Sequence, residues 1–385
     1  MRDAVIVSAV RSPMGRAIKG NFANTRIDDL GAQVIKVAVD RVANLDPKLI
    51  EELILGCAFP EGEQGMNVAR NLVFLAGLPE SIGATTINRF CSSSLQSIDY
   101  AAALIKAGSG EAYIAAGIES MSHVPMGGFN PSFNPKLMQA GAPEAYISMG
   151  ITAENVAEKY GIDRKAQDQF ALASHQKALK AMDGGKFVNE IVPVQINTAD
   201  GKKITVDRDE GPRAETTLDK LASLKPAFRE GGSVTAGNSS PLTDGAAAVV
   251  LMSAEKAKAL GIKPLARIVA CAGAGLDPAY MGLGPIPAVR KALKLANLSI
   301  NDIDIVELNE AFAAQSLAVI RDLEIPLEKL NPHGGAIALG HPLGCTGARI
   351  MTTLVNDLHT YNKRYGLETM CVGGGQGLAM IIEKL

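Results

Sequence analysis

The stretch Asp46–Phe59, DPKLIEELILGCAF, and the stretch Leu298–Phe312, LSINDIDIVELNEAF, follow one plan: a polar start, an apolar run, and an end closed by a phenylalanine. Glu52–Ala58 in the first and Ile303–Leu308 in the second read as buried strands. Phe312 lies 253 positions after Phe59, and the same offset carries Cys91 onto Gly344, inside another Gly-rich strand-to-helix turn. An internal duplication of one α/β unit is the economical reading, with chance similarity of two strand–loop segments as the alternative.

Outward from these stretches the pattern repeats. Ala4–Ala9, Ala84–Asn88 and Ala112–Ala116 read as further buried strands, and Ile27, Leu30, Val34, Ile35 and Ala38 recur at helical spacing behind a Thr25 cap. In the second half Leu265–Ala272 reads as a strand, Val289–Leu295 as a helix, Thr369–Gly373 as a late strand, and Leu378–Ile382 as another apolar run. Such alternation predicts an α/β fold with parallel strands covered on both faces. Residues 119–233 differ in texture. Pro, Gly, Asn and Met crowd 124–150, helical patterns follow at Ala153–Tyr160 and, behind an Asp163 cap, at Arg164–Met182, and 197–232 is charged and turn-rich. This reads as a substrate-covering insertion, after which Asp244–Met252 and Ala254–Leu260 complete the first unit.

Bulk properties bound the function. A chain of 385 residues exceeds what one core usually supports, and 47% hydrophobic with 20% charged residues is the composition of a globular protein. With 38 Lys plus Arg against 40 Asp plus Glu, the net charge of -2 gives no general pull toward nucleic acid or an anionic membrane. No apolar run approaches the ~20 residues that span a bilayer. The amino terminus runs from Met1-Arg2-Asp3 into Ala4–Val7 without a secretory leader pattern. Cysteines at 57, 91, 271, 345 and 371 are odd in number and scattered, which predicts free thiols in a reducing, cytoplasmic compartment and no metal site.

Four segments could carry chemistry. Cys91 sits in TINRFCSSSL (86–95), where a strand gives way to a turn and then a helix. A thiol at a helix amino terminus is expected to have its thiolate stabilised, although a buried structural cysteine is the bland alternative. Asn331–Gly347 packs five glycines and two histidines into 17 residues, and His341 followed by Pro342 is positioned rather than merely packed. A phosphate-cradling loop would need a Gly-Lys-Ser/Thr ending, which is missing. Met370–Gly377, MCVGGGQG, surrounds Cys371 with small residues whose N–H groups can form an oxyanion hole, against the bland reading of a strand ending in a flexible turn. Asn309-Glu310 ends a buried strand, and both side chains need partners there.

Taken together these segments resemble the thiolase family over essentially the whole chain. The carriers are NRFCSSSLQSI around Cys91, the N-x-x-G-G-x-x-x-x-G-H-P pattern from Asn331, and MCVGGGQG, in that order. The resemblance implies the thiolase fold: two duplicated βαβαβαββ domains in a layered α/β arrangement with an inserted loop domain. The implied division is 1–118 and 234–263 for the N-terminal domain, 119–233 for the insertion and 264–385 for the C-terminal domain. It implies Cys91 as acyl-accepting nucleophile, His341 as its activating partner and Cys371 as general acid/base. Asn309, through a water, and His341 would form one oxyanion hole, and the N–H groups of Cys91 and Gly373 the other. Arg213, Phe228, Ser240, Met149 and Phe312 match positions that line the CoA site. CoA and acyl-CoA enter as substrates, with no permanently bound cofactor. Expected partners are further copies, as a homodimer or homotetramer, and a β-oxidation hydratase/dehydrogenase subunit.

Within the family, SMGITAENVA (148–157), with Ser148 where short-chain acetoacetyl-CoA thiolases typically have His, looks like the degradative 3-ketoacyl-CoA thiolases. CSSSLQSI and NSSPLTDGAAA point the same way. Ser94 stands where glycine is frequent, and His333 where relatives often have Asn. The alternatives are an acetoacetyl-CoA thiolase running condensation, a ketoacyl synthase, which would have a second histidine in place of Cys371, and a non-catalytic acyl-CoA binding protein, which would have lost part of the set.

Overall fold

The computed structural model describes residues 2–198 and 200–385; Met1 and Ala199 lie outside the described residues. The chain opens with β1 (Ala4–Arg11), β2 (Gly15–Arg16), α1 (Ile27–Asp40), β3 (Ile50–Gly56), α2 (Val68–Leu75), β4 (Gly83–Ile87), α3 (Ser93–Ala107) and β5 (Ala112–Glu119). Then come α4 (Met149–Tyr160), α5 (Arg164–Asp183), the hairpin β6 (Val194–Asn197) and β7 (Lys203–Val206), and α6 (Leu218–Ala222), before β8 (Thr243–Ser253) and α7 (Ala254–Ala259). The second half holds β9 (Ala266–Gly275), α8 (Pro285–Ala296), β10 (Ile305–Leu308), α9 (Ala313–Leu323), α10 (Ala336–Leu339), α11 (Thr346–Thr360), β11 (Tyr365–Val372) and β12 (Gln376–Lys384).

The offset of 253 positions holds for whole elements. It carries α3 onto α11, β5 onto β11, and the 3-10 turn Phe90–Ser92 onto the turn Leu343–Cys345. The strands run β4-β3-β5-β8-β1 in one half and β9-β12-β11-β10 in the other, and β1 meets β9 through two residue pairs. Pairing is mixed, which corrects the expectation of parallel strands. Only β3–β4, β3–β5 and β10–β11 are parallel, whereas β1–β8, β5–β8, β9–β12 and β11–β12 are antiparallel. The reason is local for β11 and β12: three residues join them, too few for a crossover, with Gly374 and Gly375 both at φ +78.

Three apolar cores stack the layers. α1 and α2 bury Leu30, Val34, Leu72 and Val73 against one face of the first half-sheet. α3 and α11 lie side by side between the halves, with Leu95, Ile98, Met351 and Leu354 in the shared core. α8 and α9 cover the outer face of the second half-sheet through Val289, Leu293 and Val319. Both cysteine-bearing turns therefore open next to the central helical layer. Ser94 fits there because its hydroxyl accepts the N–H of Ala348, at 2.9 Å, in the first turn of α11.

The segment between β5 and β8 is fastened to β1 by a buried charge pair. Arg11 donates to Glu190 at 2.6 Å and in two-pronged fashion to Asp209 at 2.7 and 2.9 Å. Removing one partner of such a fully desolvated set typically costs about 3–5 kcal/mol. Asp163 caps α5 as expected, accepting the N–H of Ala166 at 2.7 Å.

Two local expectations are corrected. Thr25 does not cap α1: the N-cap position falls on Arg26, and the Thr25 hydroxyl is buried without a partner among the described residues. The strand at 84–88 is not buried. β4 is the terminal strand of the sheet, so its outer side is unpaired among the described residues, and Gly83 and Thr85 are exposed.

Candidate active site

β4 ends at Ile87, and the turn that follows is built by its own side chains. Asn88 accepts the N–H of Phe90 at 2.7 Å, while the Ser93 hydroxyl accepts from Arg89 N at 2.9 Å and donates to Phe90 O at 2.7 Å. Cys91 is thereby held one turn before α3, buried, with its sulfur facing its own N–H and that of Gly373. Gly373 lies in the three-residue link between β11 and β12, and Cys371 at the end of β11 is close enough for its charge state to couple to that of Cys91.

Burial overturns the expectation of an acidified nucleophile. Loss of solvent pushes the Cys91 thiol up to about 11, and the two N–H groups only partly oppose it. Burial and the neighbouring Cys91 push the Cys371 thiol up as well. The resting site thus holds two neutral thiols.

His341 follows Gly340, whose φ of +101 turns the chain out of α10. The backbone N–H of His341 donates to Thr243 at 3.1 Å, and a Cβ on Gly340 would collide with that threonine. Its Nδ1 lies 2.7 Å from the Thr346 hydroxyl and its Nε2 3.4 Å from Asn309 Nδ2. Burial, with Arg349 adding to it, pushes the imidazole down to about 3, so it is neutral at physiological pH. Asn309 Oδ1 has no partner among the described residues, which leaves it free to accept from a water or a ligand.

Glu310, beside Asn309, is fully committed elsewhere. It accepts from Ser174 at 2.6 Å, Asn331 at 2.8 Å and Ile337 N at 3.2 Å, and so ties α5 to the Gly-rich loop. His333 is likewise spoken for, between Asp357 at 2.9 Å and the Tyr361 hydroxyl at 2.9 Å.

The expected CoA residues fall into two neighbouring sets. Arg213 lines a cavity of about 150 Å³ with His175, Lys220, Leu221 and Ser239, and Ser240 sits between the wall residues Ser239 and Pro241. Phe228 stacks edge-on to Phe312 at 6.0 Å, and Phe312 packs with Met149 and Cys371. Ser240 N donates to Ala311 O at 3.0 Å, which joins the two sets.

Sequence reasoning passed over Glu119 and Thr346. Glu119, at the end of β5, accepts from Ala58 N at 2.8 Å, Gly344 N at 2.7 Å and Gln64 at 3.2 Å, fixing the loops around Cys91 from both halves. An acidic residue closing a fully apolar strand was the available signal. For Thr346 the signal was its place inside the motif, five residues after His341.

Known proteins resemble this chain in sequence and in fold. The family model described as "Thiolase, N-terminal domain" matches residues 4–255, and that described as "Thiolase, C-terminal domain" matches 262–384. The chain belongs to the thiolase family. As a thiolase it is 51% identical over 391 residues to the 3-ketoacyl-CoA thiolase of Bacillus subtilis (strain 168), with 100% of both chains covered. It is 49% identical over 389 residues to the 3-ketoacyl-CoA thiolase of Aeromonas hydrophila, again with both fully covered. Among solved structures, the crystal structure of the Bacillus anthracis acetyl-CoA acetyltransferase superposes with a TM-score of 0.92 at 44% identity, covering 100% of this chain and 99% of that one. The thiolase fold expected from the motifs is thus the fold found.

Proposed function

We propose that the protein is a 3-ketoacyl-CoA thiolase, which cleaves its substrate with CoA to give acetyl-CoA and an acyl-CoA two carbons shorter. The observation that carries the mechanism is the convergence of the N–H groups of Cys91 and Gly373 on the Cys91 sulfur, beside Cys371. Cys91 attacks the 3-keto carbon and passes its proton to neutral His341. The two N–H groups then face the oxygen that becomes an oxyanion. The bond between the second and third carbons breaks, and the acetyl-CoA enolate takes its proton from Cys371, its oxygen held by His341 and, through a water, Asn309. Incoming CoA returns a proton to Cys371, its thiolate attacks the acyl-Cys91 thioester, and Cys91 leaves and is reprotonated by His341. The raised thiols suit this cycle, because each is protonated until the step that needs its anion.

On this reading CoA lies along Arg213, Ser240, Phe228, Phe312 and Met149, and residues 119–233 form the substrate-covering insertion between the two parts of the N-terminal domain, 1–118 and 234–263, with 264–385 as the C-terminal domain. The unpaired edge of β4 supports association of a second copy, as a dimer or dimer of dimers, and a β-oxidation hydratase/dehydrogenase subunit is the partner that would supply the substrate. The cytoplasm, with its reduced thiols, is the proposed compartment. The acetyltransferase name of the solved neighbour supports a second reading, condensation of two acetyl-CoA molecules at the same site. Thiolysis rates across 3-ketoacyl-CoAs of increasing length decide between them. Turnover of acetoacetyl-CoA alone would overturn the first reading, and binding without acetyl-CoA release would overturn both.

A further inference from the structure

The two cysteines have separate apolar surroundings. Cys371 packs with Phe312, Met149 and Met281 on the side assigned above to CoA. Cys91 packs instead with Ala58, Met121 and Leu343, and the partly buried Phe59 closes that cluster. None of the groups that hold CoA on this reading belongs to the second cluster.

Phe90, immediately before the nucleophile, stands between the two. Its backbone is in the left-handed region at φ +43, which an aromatic residue rarely adopts, and the Asn88 and Ser93 hydrogen bonds hold it there. The ring is turned outward: Phe90 is 37% exposed, although Cys91 next to it is 7% exposed. Its ring centroid lies 6.1 Å from that of Phe59. On the other side it faces Gly373, where a Cβ would meet the Phe90 ring at 3.4 Å and the Met149 sulfur at 3.8 Å. Further out, the exposed ring of Phe129 lies against Gly62. Strain beside a nucleophile, spent on an outward aromatic ring, serves a ligand better than it serves the core.

We infer that Phe59 and Phe90 form the platform for the acyl tail of the 3-ketoacyl substrate, and that Phe90 is the residue that sets chain-length preference. The inference rests on the thiolysis reading above. An acyl group on Cys91, with its oxygen toward the N–H groups of Cys91 and Gly373, sends its third and later carbons past the Phe90 ring. Each methylene laid on that ring leaves water, so longer tails gain binding that an acetyl group cannot.

The test compares kcat/KM for acetoacetyl-CoA and 3-ketododecanoyl-CoA in the full-length wild type, Phe90→Ala, Phe90→Tyr and Phe59→Ala. The ratio within one preparation does not depend on how much of it is folded. Phe90→Ala should lower the value for the long substrate at least ~10-fold further than that for the short one, chiefly through KM. Phe59→Ala should act in the same direction, and Phe90→Tyr should restore most of the ratio. A wild type that cleaves both substrates, with the same ratio in Phe90→Ala, would overturn the platform alone. A wild type that cleaves only acetoacetyl-CoA would overturn the 3-ketoacyl reading and the platform together.

Discussion

Thr346 holds His341 in one tautomer. The Thr346 hydroxyl gives its only proton to Pro342 O at 2.8 Å, so it accepts at 2.7 Å from Nδ1 of His341, and the imidazole lone pair is left on Nε2, toward Asn309. A histidine held this way can accept a proton only through Nε2.

Thr346→Val therefore removes the acceptor and lets the proton move to Nε2, where it would block the proposed base. Thiolysis should fall ~10²-fold or more, in kcat rather than KM, and Thr346→Ser should recover most of the rate. A Val variant with unchanged kcat would show that the tautomer is set elsewhere.

Cys91 and Cys371 should fail differently. Cys91→Ala should abolish acyl transfer, and peptide mapping after incubation with a 3-ketoacyl-CoA without CoA should place the acyl group on Cys91 of the wild type. Cys371→Ala should slow thiolysis ~10²–10⁴-fold while still becoming labelled at Cys91 by acetyl-CoA. That variant should also lose exchange of the acetyl-CoA methyl protons with deuterated water. Undiminished exchange would assign the proton work to another group.

Glu307 and Glu368 stand opposite each other on β10 and β11, both fully buried, and neither Glu368 oxygen has a partner among the described residues. Burial pushes both carboxyls well above the usual carboxylate range; Asp357 adds to the rise at Glu307, and Arg349 opposes it at both. A raised folded value means that the folded chain holds protons the unfolded chain releases. The stability this provides is fully present below about pH 4.3 and lost as pH rises through the folded value, at up to about 1.4 kcal/mol per pH unit per proton. Glu368→Gln should accordingly raise Tm at pH 8 and flatten its fall between pH 5 and 8. A lower Tm at pH 8 would mean that the ionised carboxylate is stabilising.

The free edge of β4 should be covered in solution. Light scattering or sedimentation should give the mass of a dimer or tetramer of the 40.3 kDa chain, and an active, stable monomer would contradict the proposed association.

Much of this protein was legible in its sequence because the relevant physics is local. The apolar runs and helical spacings gave strands and helices within a few residues of those found, and Asp163 announced its own cap through a contact three residues away. The offset between Phe59 and Phe312 anticipated the match of α3 to α11 and β5 to β11, since a repeated strand–turn–helix pattern folds the same way twice. Cys91, His341 and Cys371 stood out because the glycines and turns around them are needed to build the site. Tertiary structure decided what depends on groups distant in sequence. Whether the Cys91 thiol is acidified is a contest between a helix end, which is local, and desolvation, which sums over everything packed around it, and desolvation wins. The tautomer of His341 depends on which atoms of Thr346, Pro342 and Asn309 the fold brings within reach. The edge position of β4 follows from the order of strands spread over the whole chain, and no periodicity within five residues encodes an order.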